Sequence, residues 1–244
     1  MNRARLIITF LTCTVITGAV MGIYFFMQKA EVHGIRLSRE RYPVCGIDIS
    51  AHNGVIDFSR MRADSIDFVI IKATEGTSFK DSRFSDNYRK ARASGLKVGA
   101  YHFFRFDTDG MMQAINFINS VSRLPLDFPL MIDIEEWNNA KGISSEMILS
   151  RLKTMLAHLE HSGYNIILYS NKDGHKRFIR NAFDNFPLWI CSFTDPPTTS
   201  EWVFWQYSHR GNVDGIDGNV DINTFNGNRQ QWLFWLSNHP TKTQ

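Results

Sequence analysis

At 244 residues, with 43% hydrophobic and 21% charged side chains, the chain has the composition of one sizeable folded domain plus a short appendage, which excludes a wholly disordered protein. A formal charge of +3, with no cluster of Lys and Arg interleaved with aromatics, excludes nucleic acid as the expected partner and leaves at most a mild preference for an anionic polymer. Cys13, Cys45 and Cys191 form no Cys-x-x-Cys pair, so neither a disulfide framework nor a thiolate metal set is expected. The cysteines read as buried thiols, with a Cys45 to Cys191 bridge left open should the protein be exported. No His-x-His, His-Glu-x-x-His or Gly-rich phosphate loop is present, so no metal or cofactor is expected.

Arg3 and Arg5 precede Leu6 to Met27, a run of 22 residues without a charge and long enough to cross a bilayer as a helix. The run ends in bulky residues instead of a small-x-small cleavage site. Residues 1–28 therefore read as an uncleaved signal anchor in preference to a signal peptide, placing the rest outside the cytoplasm, at the cell surface or in the periplasm. If the segment is cleaved, the protein is secreted. Residues 29–43 read as a polar linker, 44–236 as the folded domain and 237–244 as a tail.

From Val44 onward, strands alternate with amphipathic helices. Expected strands are 44–50, 68–76, 98–104, 128–137, 166–170, 188–192, 203–207 and 220–223. Expected helices are a short one at 57–63, one of about 14 residues ending at Ser94-Gly95, then 111–121, 145–161 and 172–182, with a short closing helix at 230–236. Alternation of this kind argues for a parallel sheet with right-handed crossovers. Eight strands with about five core helices suggest an α/β fold of the modified, irregular β/α (TIM-like) barrel kind, short of helices on its last side.

The most informative stretch is Phe128-Pro129-Leu130-Met131-Ile132-Asp133-Ile134-Glu135-Glu136-Trp137, an apolar run ending in carboxylates. On a strand, Asp133 and Glu135 share a face with Cα atoms about 6.6 Å apart, and Glu136 points away. Buried carboxylates are costly unless paired or used, so the spacing asks for a chemical explanation; the competing reading is an acidic loop that begins one residue early.

Gly46-Ile47-Asp48-Ile49-Ser50, Lys72-Ala73-Thr74-Glu75-Gly76, Gly99-Ala100-Tyr101-His102-Phe103, Asp133-Ile134-Glu135, Phe204-Trp205-Gln206-Tyr207-Ser208 and Val220-Asp221-Ile222-Asn223 together resemble, in order, glycoside hydrolase family 25, the N-acetylmuramidase type of lysozyme. The likeness runs from about residue 46 to 225. It departs from the family pattern at Phe79 to Asp81 and at His52-Asn53-Gly54. The resemblance implies a modified β/α barrel and a peptidoglycan substrate, and it places the family's catalytic acids at Asp48, Asp133, Glu135 and Asp221.

Glycoside hydrolysis needs a proton for the leaving oxygen and stabilisation of an oxocarbenium-like charge, supplied by carboxyls in different protonation states. Glu135, nearer the mouth, is expected to be the general acid, its pKa raised by burial and a neighbouring charge. Asp133, one layer deeper, is expected to stay ionised through hydrogen bonds. It would orient the substrate's acetamido group, with direct attack by Asp133 or Asp221 as the rival; both routes retain configuration. Tyr101, Trp137, Tyr169, Trp189, Trp205 and Tyr207 fall at or near strand ends. Of these, Tyr101, Tyr169, Trp189 and Trp205 join Gln206 and Glu75 as candidate substrate-binding residues, whereas His102 reads as structural. The expected partners are peptidoglycan glycan strands and, through residues 6–27, a membrane. The catalytic domain is expected to be monomeric. Chitin-type glycans and a catalytically silent wall-binding module are the alternatives.

Overall fold

The computed structural model describes residues 37–63, 66–198 and 202–243; the anchor expected at 6–27 and most of the expected linker lie outside them. Among the described residues, no helix is long and apolar enough to cross a membrane.

Eight strands close into a barrel. In chain order they are β1 (Cys45–Ile49), β2 (Phe68–Glu75), β4 (Lys97–Phe103), β5 (Leu130–Asp133), β6 (Ile166–Asn171), β7 (Leu188–Cys191), β8 (Trp202–Gly211) and β9 (Val220–Phe225). A two-residue strand, β3 (Phe79–Lys80), adds a hairpin to β2 outside the ring. It occupies the stretch after Gly76 where the sequence departs from the family pattern. The ring closes because β1 pairs with both β2 and β9. β2, β4 and β6 are rich in β-branched and aromatic residues, and β5 is the short apolar run Leu130-Met131-Ile132 ending in Asp133.

The helices are α1 (Phe58–Ala63), α2 (Phe84–Ala93), α3 (Gly110–Val121), α4 (Ser145–His161), α5 (Lys172–Gly174) and α6 (Arg229–Asn238). Their starts are set by local chemistry: Asp109 and Ser144 accept hydrogen bonds from the third residue beyond them, and Asn228 and Gln231 form a reciprocal capping box.

Four expectations are corrected. The sheet is not wholly parallel, for β9 runs antiparallel to both β8 and β1. Residues 212–219, which link β8 to β9, are too few for the crossover that a parallel pair needs. The helix expected over 172–182 is only the turn α5 followed by a wider turn, His175–Ile179, closed by Arg180 N donating to His175 O at 2.9 Å. Asn181, with φ of 68°, then takes the chain out of helical conformation. Helix α2 has 10 residues instead of about 14, because the chain before it is used by β3 and by an Asp81 turn. Strand β5 ends at Asp133, so Ile134 and Glu135 belong to the segment that leaves it. Cys45 and Cys191 are buried and not disulfide-bonded.

Aromatic rings fill the N-terminal end of the barrel. Trp232 and Trp235 of α6 pack on Phe68, Phe128, Phe204 and Phe225, with centroid separations that include 5.5 Å for Phe68–Trp232 and 5.1 Å for Phe225–Trp232. Beyond α6 the chain is tied down by Asn165 N to Thr241 O at 3.0 Å and Thr243 N to Gly163 O at 2.9 Å. At the other end, Tyr42 lies against Trp202 and Trp205.

Gly46 shows how tightly this end is packed. A Cβ there would fall 2.3 Å from the Phe68 ring. Gly46→Ala is expected to cost about 1–3 kcal/mol of stability through overpacking, read as a lower urea midpoint; an unchanged midpoint would mean that the ring yields freely.

Candidate active site

The strand register gathers the acids at one end. Asp48 of β1 stands directly opposite Asp221 of β9, and Asp133 of β5 is in register with Phe103 and Tyr169. Alternation places Asp221 and Asn223 on one face of β9. A cavity of about 860 Å³ opens there, lined by all four acids (Asp48, Asp133, Glu135 and Asp221) and by Lys72, Tyr101, Tyr169, Trp189 and Gln206 among others.

Asp48 is fixed by two converging hydrogen-bond chains. Tyr169 donates its hydroxyl to Gln206 Oε1 at 2.8 Å, and Gln206 Nε2 donates to Asp48 Oδ2 at 2.8 Å. Trp189 Nε1 donates to Asn223 Oδ1 at 2.7 Å, and Asn223 Nδ2 donates to the same Asp48 oxygen at 2.7 Å. An indole N–H can only donate, so Asn223 must turn its oxygen to Trp189 and its amide hydrogens to Asp48. Burial raises the Asp48 pKa to about 6, and the donors from Asn223 and Gln206 hold it from rising further.

The other three acids have less support. Burial, with the charges of Asp48 and Glu135, pushes Asp221 to about 8. Glu135 is raised to about 7 by burial and then by Asp48, with Lys72 opposing. Asp133 is raised well above the ordinary carboxylate range by burial and the Glu135 charge. Its Oδ1 is buried without a hydrogen-bond partner. The expectation of an ionised, hydrogen-bonded Asp133 is therefore corrected: the well-supported carboxylate is Asp48.

Glu135 is held by the turn that follows β5. The strand ladder persists one residue past Asp133, through Ile134 N to Tyr169 O at 2.9 Å. Asn139 then donates to Glu135 O and to Phe104 O, and its own oxygen accepts from Phe106 N. Arg105 donates to Asn138 O at 2.7 Å, fixing a residue with φ of 59°. Glu135 and Asp133 both still face the cavity, with Asp133 the more buried.

The remaining candidates separate by position. Tyr101, Tyr169, Trp189 and Gln206 line the cavity, and Gln206 does so as a donor to Asp48. Trp205 is not at the cavity; it is fully buried, and its Nε1 donates to Ser192 O at 2.9 Å. Inverted alternation explains this, since Gln206 beside it faces in. Glu75 does not line the cavity either. It pairs with Lys72 at 2.7 Å and with Arg105 at 3.5 Å. His102 lies in the core between Thr74 and Gln113, with its pKa lowered to about 4 by burial.

Three contributors escaped the sequence reading. Lys72 reaches the cavity and lowers the pKa values of Asp133 and Glu135, and its ammonium sits between the Phe79 and Phe103 rings. Its signal was alternation on β2, which sets it on a different face from Ala73. Asn223 and Asn139 were legible only as polar residues near the acids. Trp137, 74% exposed, forms part of the cavity wall at the mouth. Among the described residues, no group of three or more His, Cys, Asp or Glu is arranged to hold a metal ion.

A partly open cavity with one carboxylate supported by donors and others retaining protons near neutrality is equipped to donate a proton to a leaving oxygen beside a negative charge.

Comparison with known proteins agrees with this chemistry. The chain is 34% identical over 182 residues to the autolytic lysozyme of Clostridium acetobutylicum, an alignment covering 74% of this chain and 55% of that protein. A family 25 glycosyl hydrolase from Bacillus anthracis superposes with a TM-score of 0.73 at 33% identity, covering 82% of this chain and 95% of that one. The bacterial lysozyme from Streptomyces coelicolor gives a TM-score of 0.71 at 31% identity, covering 80% and 97%. The family model described as glycosyl hydrolases family 25 matches residues 47–216, and with the closed barrel and its four-acid mouth this establishes that the chain belongs to glycosyl hydrolase family 25.

Proposed function

We propose that the chain is a peptidoglycan hydrolase, an N-acetylmuramidase that cleaves the β-1,4 bond between N-acetylmuramic acid and N-acetylglucosamine with retention of configuration. The observation that carries the proposal is the gathering of Asp48, Asp133, Glu135 and Asp221 around one cavity in a family 25 barrel. The lysozyme relatives support the substrate class. Glu135, whose pKa of about 7 keeps it substantially protonated near neutrality, gives its proton to the glycosidic oxygen as the C1–O bond breaks. Asp133 Oδ1, which has no donor within the protein, accepts the N–H of the substrate's acetamido group and turns the acetamido oxygen toward C1. The acetamido oxygen bonds to C1 as the leaving oxygen departs; water then gives a proton to Glu135 and its oxygen to C1, breaking the bond to the acetamido oxygen. Ionised Asp48 stabilises the cationic ring across the cavity. The competing route, attack by Asp133 or Asp221, would be revealed by a trapped glycosyl-aspartate.

Residues 6–27 act in this reading as a signal anchor that holds the barrel at the outer face of a membrane; support comes from the uncharged run and from Arg3 and Arg5 before it. All four acids come from one chain, which supports a catalytic domain that works as a monomer.

The test is a substrate panel. Full-length protein is expected to release muropeptides from purified peptidoglycan and to leave chitin oligomers intact. Cleavage of chitin alone would move the activity to that glycan, and saturable wall binding without cleavage would make the chain a tethered binder.

A further inference from the structure

A second groove lies outside the barrel wall. Its floor is Ile179, Leu188 and Ile190, and its volume is about 500 Å³. Trp189 and Cys191 line the active cavity, so alternation puts Leu188 and Ile190 on the outer face of β7. Lys172 borders both spaces, so the groove and the cavity rim are neighbours at that residue.

The rim is cationic. Lys172, Lys176 and Arg180 are exposed along it, with His175 between them and Asp184 the acid among its lining residues. Lys172 has a 3.4 Å contact with exposed Asp195. Among the described residues, Lys176 and Arg180 have no ion-pair partner, whereas Arg177, between them in sequence, is engaged by Glu136 and Ser145. The floor side chains Ile179, Leu188 and Ile190 are buried, so what the groove offers a ligand is its charge: two uncommitted cations are complementary to an extended peptide that carries several carboxylates. Strand β7 has four residues, about 13 Å of outer face, close to the reach of a four- or five-residue peptide.

We propose that this groove binds the acidic peptide stem carried by the muramic acid whose bond is cut in the adjacent cavity. The proposal rests on the muramidase reading. Sugar in the cavity would fix the lactyl ether near Lys172, and the stem would then run outward along β7 past Lys176 and Arg180.

The test compares full-length wild type with a Lys176→Glu, Arg180→Glu double variant on soluble glycan fragments that bear or lack stems. Neither substituted residue lines the active cavity. On stem-bearing fragments the variant's KM is expected to rise about tenfold with kcat unchanged, and on stem-free glycan both constants are expected to match wild type. Equal losses on the two substrates, no change on either, or no preference of wild type for stems would overturn the proposal. A fluorescent muramoyl-pentapeptide supplies a readout independent of turnover: wild type is expected to bind it about tenfold more tightly than the variant, and equal affinities would overturn the groove assignment even in an inactive protein. Loss of poly(glycerol phosphate) binding in the variant, with stem affinity unaltered, would assign the groove to a polyanion and overturn it also. Failure of wild type to cut either glycan, by contrast, counts against the muramidase reading.

Discussion

Glu135→Gln is expected to lower kcat on peptidoglycan by about 10³-fold while leaving substrate binding and the thermal midpoint near wild type. Glutamine keeps the volume and the turn held by Asn139 and Arg105, but has no acidic proton to give. Stability should not suffer, because the substitution removes a partly buried carboxyl that other acids surround. The pH profile gives a second check. Activity requires Glu135 protonated and Asp48 ionised, so kcat/KM is expected to rise as pH passes about 6 and to fall as it passes about 7. Retention of more than a tenth of wild-type kcat by Glu135→Gln would remove it as the general acid.

Asp133→Asn is expected to lower kcat about 10²-fold and to change how stability depends on pH. In the unfolded chain Asp133 titrates in the ordinary carboxylate range; in the folded protein burial and Glu135 lift it well above. Between those values the native state holds more protons than the unfolded state, so unfolding free energy falls as pH rises. Asp48, Glu135 and Asp221, raised to about 6, 7 and 8, act with the same sign. Wild type should therefore melt at a higher temperature at pH 5 than at pH 8, and Asp133→Asn should recover part of that loss. A gain on the order of 3 °C at pH 8, vanishing near pH 4, corresponds to about 1 kcal/mol for a chain of this size. Parallel curves of midpoint against pH for the two proteins would show that Asp133 is not a strained acid in the native state.

Much of this architecture was legible because it rests on short-range patterning. Apolar runs separated by amphipathic segments located all eight barrel strands, and the helix expected at 145–161 matches α4 to the residue. Alternation paired Asp133 with Glu135. What escaped depends on three-dimensional neighbours. The direction of β9 is decided by the length of its connection and by the partners waiting on either side. Trp205 and Gln206 are adjacent in sequence, and nothing local says which of them faces the cavity. Depth in the barrel points to Asp133 as the stabilised acid, but the donors converge on Asp48 from β6, β7, β8 and β9, strands more than a hundred residues away in the chain. Lys72 read as one letter of a strand motif until the barrel closed and set it beside Asp133 and Glu135.

The most direct test of the account is digestion of purified peptidoglycan in water enriched with oxygen-18, with the new reducing ends identified by mass spectrometry. Wild-type protein is predicted to produce N-acetylmuramic acid ends carrying one heavy oxygen at C1, and Glu135→Gln to produce none. Labelled N-acetylglucosamine ends, anhydro-muramic ends without label, or equal yields from the two proteins would contradict it.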